Sequence, residues 1–270
     1  MTELLIFLVV NLLIFLFGII IGSFLNVCIY RIPKKEDIVK TSSHCMICGY
    51  KLKWYDLVPL FSFIALKGRC RKCHTKLSLQ YPIVEAVNGV MYVLIFAIKK
   101  VDITTYLYVD HVREMIPLFD AIILCALFSV LLVIGVIDFR TYEIPFGCNI
   151  FICVLGLIHM VLHYADWVDY LIGFFAVSTF LLIIYLCTKG RGIGGGDIKL
   201  MAAAGLLLGW KYILLAFFLG CILGSVLHIL RMKLTKADHV LAFGPYLAMG
   251  IGIAVLYGNQ ILDWYLGFFS

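Results

Sequence analysis

Two isolated aspartates are the residues best suited to chemistry. Asp197 closes Gly194-Gly195-Gly196-Asp197, a glycine run that delivers a carboxylate to the mouth of an apolar helix, and Asp138 ends another apolar run 59 residues earlier. Acids at a membrane are costly, and cost at such a position marks function. A carboxylate pair can hydrolyse an amide. One ionised Asp takes a proton from water while its protonated neighbour hydrogen-bonds the scissile carbonyl, and like charges in close apposition split the pair's titration so that this sharing operates near neutral pH. Either Asp alone reads first as a helix cap that satisfies free N–H groups. Both together, after a glycine run, favour the dyad. Gly194 and Gly196 would let an extended substrate approach the backbone and would allow φ values barred to other residues. Lys199 is either an electrostatic tuner or a lysine snorkelling to the interface.

A second constellation is His44-Cys45-Met46-Ile47-Cys48-Gly49 with Arg69-Cys70-Arg71-Lys72-Cys73-His74, two CxxC pairs separated by 21 residues. Two thiolates three positions apart grip one tetrahedral ion from a single turn, and two such turns complete a four-thiolate shell. Zinc is the expected occupant, in a structural role, and it would supply much of the folding energy of a loop with few apolar residues. Two disulfides are the alternative, disfavoured by a cytoplasmic placement. His44 and His74 read as flanking residues. The six remaining cysteines lie in or beside apolar runs, where they read as small packing residues.

The elements that must position these residues are membrane helices. With 63% hydrophobic and 14% charged residues and a mean hydropathy of +1.05, the chain is excluded from the soluble globular class. Apolar runs predict eight spans, at 4–30, 82–98, 117–137, 145–163, 168–187, 198–209, 212–230 and 240–257. The first run is longer than a signal h-region and lacks a basic n-region, so it reads as a retained span. Eighteen of the 22 Lys and Arg residues fall in segments 31–81, 138–144, 188–199 and 231–239, against Lys99, Lys100, Arg113 and Lys211 in the alternate segments. This bias places residues 31–81, Asp138 and Asp197 on the cytoplasmic side. The expected fold is all-α: a polytopic membrane protein with about eight transmembrane helices and a small cytoplasmic four-cysteine zinc-binding loop domain. Its parts are a first helix (1–30), the zinc-binding domain (31–81), a second helix and outer loop (82–116), a six-helix core (117–257) and an interfacial aromatic tail (258–270). No basic face forms on a soluble domain of adequate size, which argues against nucleic acid as a partner.

The motifs together resemble the type IV prepilin peptidases, membrane-embedded aspartic proteases with a GxGD motif. The resemblance covers most of the chain. It rests on Gly22-Ser23-Phe24-Leu25-Asn26-Val27 with Arg31-Ile32-Pro33, on Lys53-Trp54-Tyr55-Asp56 with Pro59-Leu60, on Tyr81-Pro82-Ile83-Val84-Glu85, on Gly194 to Leu200 and on Phe243-Gly244-Pro245-Tyr246-Leu247-Ala248. It implies cleavage of prepilin or pseudopilin leaders at the cytoplasmic face of the bacterial cytoplasmic membrane, with Asp138 and Asp197 catalytic. Gly194, Gly196, Lys199, Gly244 and Pro245 belong to the supporting motifs. It also implies N-methylation of the new N-terminal residue with S-adenosylmethionine. Ile144-Pro145-Phe146 departs from the Leu-Pro-Asp of many relatives, an acid the dyad mechanism does not need. No glycine-rich nucleotide fingerprint follows a strand, so methyl transfer rests on the resemblance. Glu85, a costly acid early in the second span, either pairs with a basic loop residue or contacts the amine and cofactor. Asn26 and Asn88 read equally as interhelical hydrogen-bond partners. Two other classes stay open on the residues alone: another intramembrane GxGD protease, and a zinc-stapled transporter or scaffold that uses the acids as ion ligands or caps.

Overall fold

In a computed structural model, residues 2–103, 112–235 and 241–268 are described. Parts of the expected outer loop 82–116, of the inner segment 231–239 and of the tail 258–270 lie outside those residues, as does residue 240, where the eighth span was expected to start. Every described element is helical or irregular; among the described residues the β pairing is limited to two isolated bridges, His44 to Lys51 and Arg69 to Lys76.

Helices occupy all eight expected places: α1 (Thr2–Arg31), α3 (Gln80–Ile98), α4 (Ile116–Thr141), α5 (Phe146–Leu162), α6 (Trp167–Cys187), α7 (Gly195–Leu208), α8 (Trp210–Thr235) and α9 (Gly244–Leu266), with the short α2 (Phe61–Ala65) in the loop domain. Six of the eight are long and apolar enough to cross a membrane; α5 and α7 are not. At about 1.5 Å per residue, the 14 residues of α7 reach roughly 21 Å, short of a hydrocarbon core of about 30 Å. At its C-terminal end, α9 continues to Leu266, so Trp264 and Tyr265 stand on its last turns and are exposed there. The chain divides into two compact units, residues 1–129 and 130–270, with the boundary inside α4.

In the first unit α1 runs against α3. A Cβ on Gly18 would stand 2.7 Å from the Cα of Gly89, and one on Gly22 the same distance from the Cα of Glu85. Lipid tails are as apolar as leucine, so close backbone approach and interhelical hydrogen bonds hold such helices together. Asn88 supplies the bonds. Its Nδ2 donates to Gly18 O (2.8 Å), its Oδ1 accepts from Ser129 Oγ (2.9 Å), and Ser129 Oγ in turn pairs with the Tyr92 hydroxyl at 3.0 Å. The outward side of α1 shows Leu4, Phe7 and Phe17.

Between α1 and α3 the loop domain is built from two copies of one backbone turn, 25 residues apart. The N–H groups of Cys45 and Cys70 donate to the carbonyls of Tyr50 and Thr75, those of Gly49 and His74 to Cys45 and Cys70, and those of Leu52 and Leu77 to Ser43 and Gly68. Each turn needs one left-handed residue, Gly49 (φ 67°) in the first and His74 (φ 56°) in the second. Asp56 joins the copies: its carboxylate accepts from Arg71 Nε (2.7 Å), the Tyr50 hydroxyl (3.3 Å) and the Lys53 N–H (3.2 Å). Buried Arg31, at the end of α1, donates to the carbonyls of Asp37, Ile38 and Thr41 and so ties the domain's first loop to the helix.

In the second unit α7 is buried along most of its length, packed by α5, α6 and α8. Gly173 of α6 and Gly205 of α7 bring those backbones into direct contact, and Gly250 of α9 does the same against Ala216 and Gly220 of α8. The short α7 is therefore the hub around which the longer helices are arranged, and its first turn carries Asp197.

Candidate active site and metal centre

Asp138 lies in the last turn of α4, 5% exposed, and Asp197 in the first turn of α7, 9% exposed. The structure brings them near enough that the charge of Asp138 acts on Asp197. Asp138 does not cap its own helix. Its Oδ2 accepts the N–H of Gly244 at 2.9 Å, the first residue of α9. The first N–H groups of a helix have no partner within it, so Asp138 supplies a cap from a neighbouring helix. Pro245 follows within that first turn, where its lack of an N–H costs nothing. A Cβ on Gly244 would stand 2.7 Å from Asp138 Oδ2, so only glycine admits the carboxylate this closely.

The glycines before Asp197 differ from expectation in one respect. Gly194, Gly195 and Gly196 all have ordinary φ values, so the turn does not use their left-handed freedom. Their smallness is what counts: a Cβ on Gly196 would press to 3.0 Å from the Ile144 side chain, and one on Gly194 to 3.1 Å from Asp197 Oδ2. The run thus packs the Asp197 turn onto the Ile144–Pro145 segment. Lys199 is exposed, with Nζ 5.1 Å above the Phe146 ring. Asn149, one turn into α5, was not singled out in the sequence; it is 4% exposed and neither amide atom has a hydrogen-bond partner.

In the loop domain the four sulfur atoms of Cys45, Cys48, Cys70 and Cys73 lie within 4.8 Å of one another, with Cys45 to Cys73 at 3.8 Å and Cys48 to Cys70 at 4.0 Å. Sulfurs about 2.3 Å from a tetrahedral zinc stand about 3.8 Å apart, so the cluster fits that ion. The 3.8 and 4.0 Å separations exceed the S–S bond length of about 2.05 Å, so the arrangement is that of a metal cluster rather than of two disulfides. Hydrogen bonds from the N–H groups of Cys48 and Ile47 hold Cys45 below the usual thiol range, and the Thr75 hydroxyl and N–H hold Cys73 down to about 6. The Tyr50 N–H also pulls Cys48 down, but burial and the neighbouring thiols outweigh it and push Cys48 up to about 11. A divalent cation would convert this mixed set to thiolates. Neither His44 nor His74 joins the cluster; His44 Nδ1 lies 3.1 Å from Ser42 O.

Glu85 pairs with no basic residue among the described residues. Its Oε2 accepts the Leu60 N–H at 2.8 Å and the Ser23 side chain also bonds to it, so it ties the loop domain to the helix pair α1–α3. Asn26 spans the same pair of helices, donating to Tyr81 O at 3.1 Å and accepting from Gln80 Nε2 at 3.3 Å.

These features define a polytopic helical membrane protein with a buried aspartate pair in one unit and a four-cysteine cluster in the other. Residues 16–98 match the Bacterial Peptidase A24 N-terminal domain and residues 125–229 the type IV leader peptidase family. A prepilin leader peptidase/N-methyltransferase of Bacillus subtilis (strain 168) is 32% identical over 258 residues, covering 94% of this chain and 97% of the relative. One of Vibrio cholerae is 35% identical over 224 residues (77% and 81%), and one of Pseudomonas putida is 28% identical over 275 residues (90% and 89%). No solved structure matches. The chain belongs to the type IV leader peptidase family.

Proposed function

We propose that this protein cleaves the leader peptides of type IV prepilins or pseudopilins at the cytoplasmic face of the bacterial cytoplasmic membrane, with Asp138 and Asp197 as the catalytic pair. It then N-methylates the new N-terminal residue. The observation that supports the first half is two buried carboxylates, from the ends of two helices, near enough that the charge of one acts on the other. The Gly244 N–H donates to Asp138 Oδ2, which fixes the orientation of that carboxylate beside Asp197 and leaves its other oxygen for water or substrate. The ionised partner takes a proton from water as the water oxygen attacks the scissile carbonyl. The protonated partner donates to the carbonyl oxygen, and the leaving nitrogen departs protonated. Asp138 and Asp197 stand beside Arg140, Lys189, Arg191 and Lys199 in sequence, the basic pattern of a cytoplasmic edge.

The four cysteines would hold zinc in a closed tetrahedral shell with no position for substrate, a structural role. S-adenosylmethionine would supply the methyl group to the neutral amine, the sulfonium leaving as a thioether while the amine loses a proton. The names of the relatives support that activity. Incubating the reconstituted protein with a prepilin and S-adenosylmethionine, followed by mass spectrometry of the mature N-terminus, tests both halves. The expected product has lost its leader and gained one methyl group; an uncleaved prepilin contradicts the reading.

A further inference from the structure

Asn149 is a buried polar side chain that the dyad chemistry leaves unused. It lies 4% exposed in the first turns of α5, and among the described residues neither its amide oxygen nor its amide nitrogen has a hydrogen-bond partner. A buried amide without bonds is costly, and a ligand that supplies the bonds offsets the cost. Its place in the second unit says which ligand could do so. Helices α5 and α7 run side by side in the same direction. At their starts a Cβ on Gly196 would meet the Ile144 side chain at 3.0 Å, and near their far ends one on Gly156 would meet the Leu207 nitrogen at 3.1 Å. Gly156 is two turns on from Asn149, so Asn149 stands on the face of α5 that is turned to α7. The register between the two contacts sets it beside Leu200 and Met201, about one turn past Asp197. Helical side chains lean toward the N-terminus of their own helix, so the Asn149 amide leans back toward the level of Asp197. Asp138 and Asp197 are about as buried, and an opening that admits a peptide to them admits it to this amide as well.

A primary amide presents an acceptor and a donor side by side. In an extended peptide the N–H and C=O of one residue point to the same side, and so match that amide at two points. We propose that Asn149 binds the backbone of the extended leader junction beside the scissile bond, its Oδ1 accepting a substrate N–H and its Nδ2 donating to the carbonyl of the same residue. The inference rests on the leader cleavage proposed above and deepens it by naming a substrate-binding residue. Such a contact reads the extended conformation of the chain rather than the side chain carried at that residue.

Cleavage kinetics of the purified full chain in lipid, on synthetic prepilin peptides, test this. An ester replaces one backbone amide at a time on either side of the scissile bond, which deletes a single N–H. Wild type is expected to lose about tenfold in kcat/KM at one ester position, the loss of one hydrogen bond. Asn149→Leu keeps the branching of the side chain and removes its polar atoms. It should cleave the all-amide peptide at least about tenfold more slowly and lose nothing further at that ester position. Its melting temperature should match or exceed that of wild type, because no unbonded amide is left buried. Asn149→Ala carries the comparison if Asn149→Leu does not fold. If neither folds, the amide holds the fold rather than the substrate, and the assignment falls. It falls too if a folded variant cleaves at the wild-type rate, or if every ester costs variant and wild type alike. A wild type that cleaves prepilin peptides but has no penalised ester position contradicts the Asn149 assignment alone. One that leaves every prepilin peptide whole contradicts the proposed function, and this assignment with it.

Discussion

Gly244 stands where any side chain would collide with Asp138. A Cβ there would lie 2.7 Å from the Asp138 carboxylate oxygen, so the carboxylate or the start of α9 would have to move. Displacing a catalytic group by about 1 Å can cost about a hundredfold in rate. Gly244→Ala is therefore expected to lower leader cleavage by about that factor while leaving zinc content unchanged, as measured by cleavage kinetics on a purified prepilin. The residues of this site were legible unevenly. Asp138 and Asp197 stand out as a pair, since either acid alone at the edge of an apolar run reads as a helix cap. The physical use of the glycines was not legible, since the letter glycine does not say whether φ or size is needed; here Gly196 serves by fitting against Ile144. That Gly244 donates its N–H to Asp138 depends on two helix ends meeting 106 positions apart in the chain, which no local pattern encodes.

Among the elements, the cysteine turns depend on a hub outside themselves. Asp56 accepts hydrogen bonds from Tyr50 of one turn and Arg71 of the other, and its side chain is 2% exposed. Burial raises its carboxyl, but the bonds from Arg71 and the Lys53 N–H outweigh that and hold it below the usual carboxylate range. A depressed folded value means the stabilisation is present above the ordinary carboxylate pKa and is lost as pH falls through the lowered one. Asp56→Asn should destabilise the loop domain by about 2 kcal/mol near neutral pH. In acid the gap between variant and wild type should close, read by denaturant titration followed through zinc release. The CxxC spacing announced a four-cysteine cluster, but the duplicated turn around it was hidden. Its matching hydrogen bonds join residues of unlike identity, Ser43 with Gly68 and Tyr50 with Thr75, so only the backbone repeats. Helix positions were legible because run length follows bilayer thickness, and so was the shortness of α7, since the expected run 198–209 stops at Gly209 (φ 78°), where the helix ends.

For the molecule as a whole, the distribution of 22 basic residues predicts an orientation that labelling can test. With the six cysteines outside the quartet replaced, a cysteine at Arg191 should react with an impermeant maleimide only after cells are opened, and one at Lys211 should react in intact cells. The reverse pattern would invert the topology and with it the cytoplasmic placement of Asp197. Helix contacts in both units combine buried apolar side chains with glycines that let backbones meet. The outward apolar faces of α1, α5 and α6 are left to lipid, which accounts for so hydrophobic a chain.

The central claim is that Asp138 and Asp197 act as one catalytic pair, and the most direct measurement is leader cleavage by purified Asp138→Asn and Asp197→Asn proteins in lipid. Each substitution keeps the shape of the side chain and removes its ability to ionise. The account predicts that either alone abolishes cleavage, while zinc content matches wild type. Cleavage at the wild-type rate by either variant would contradict it.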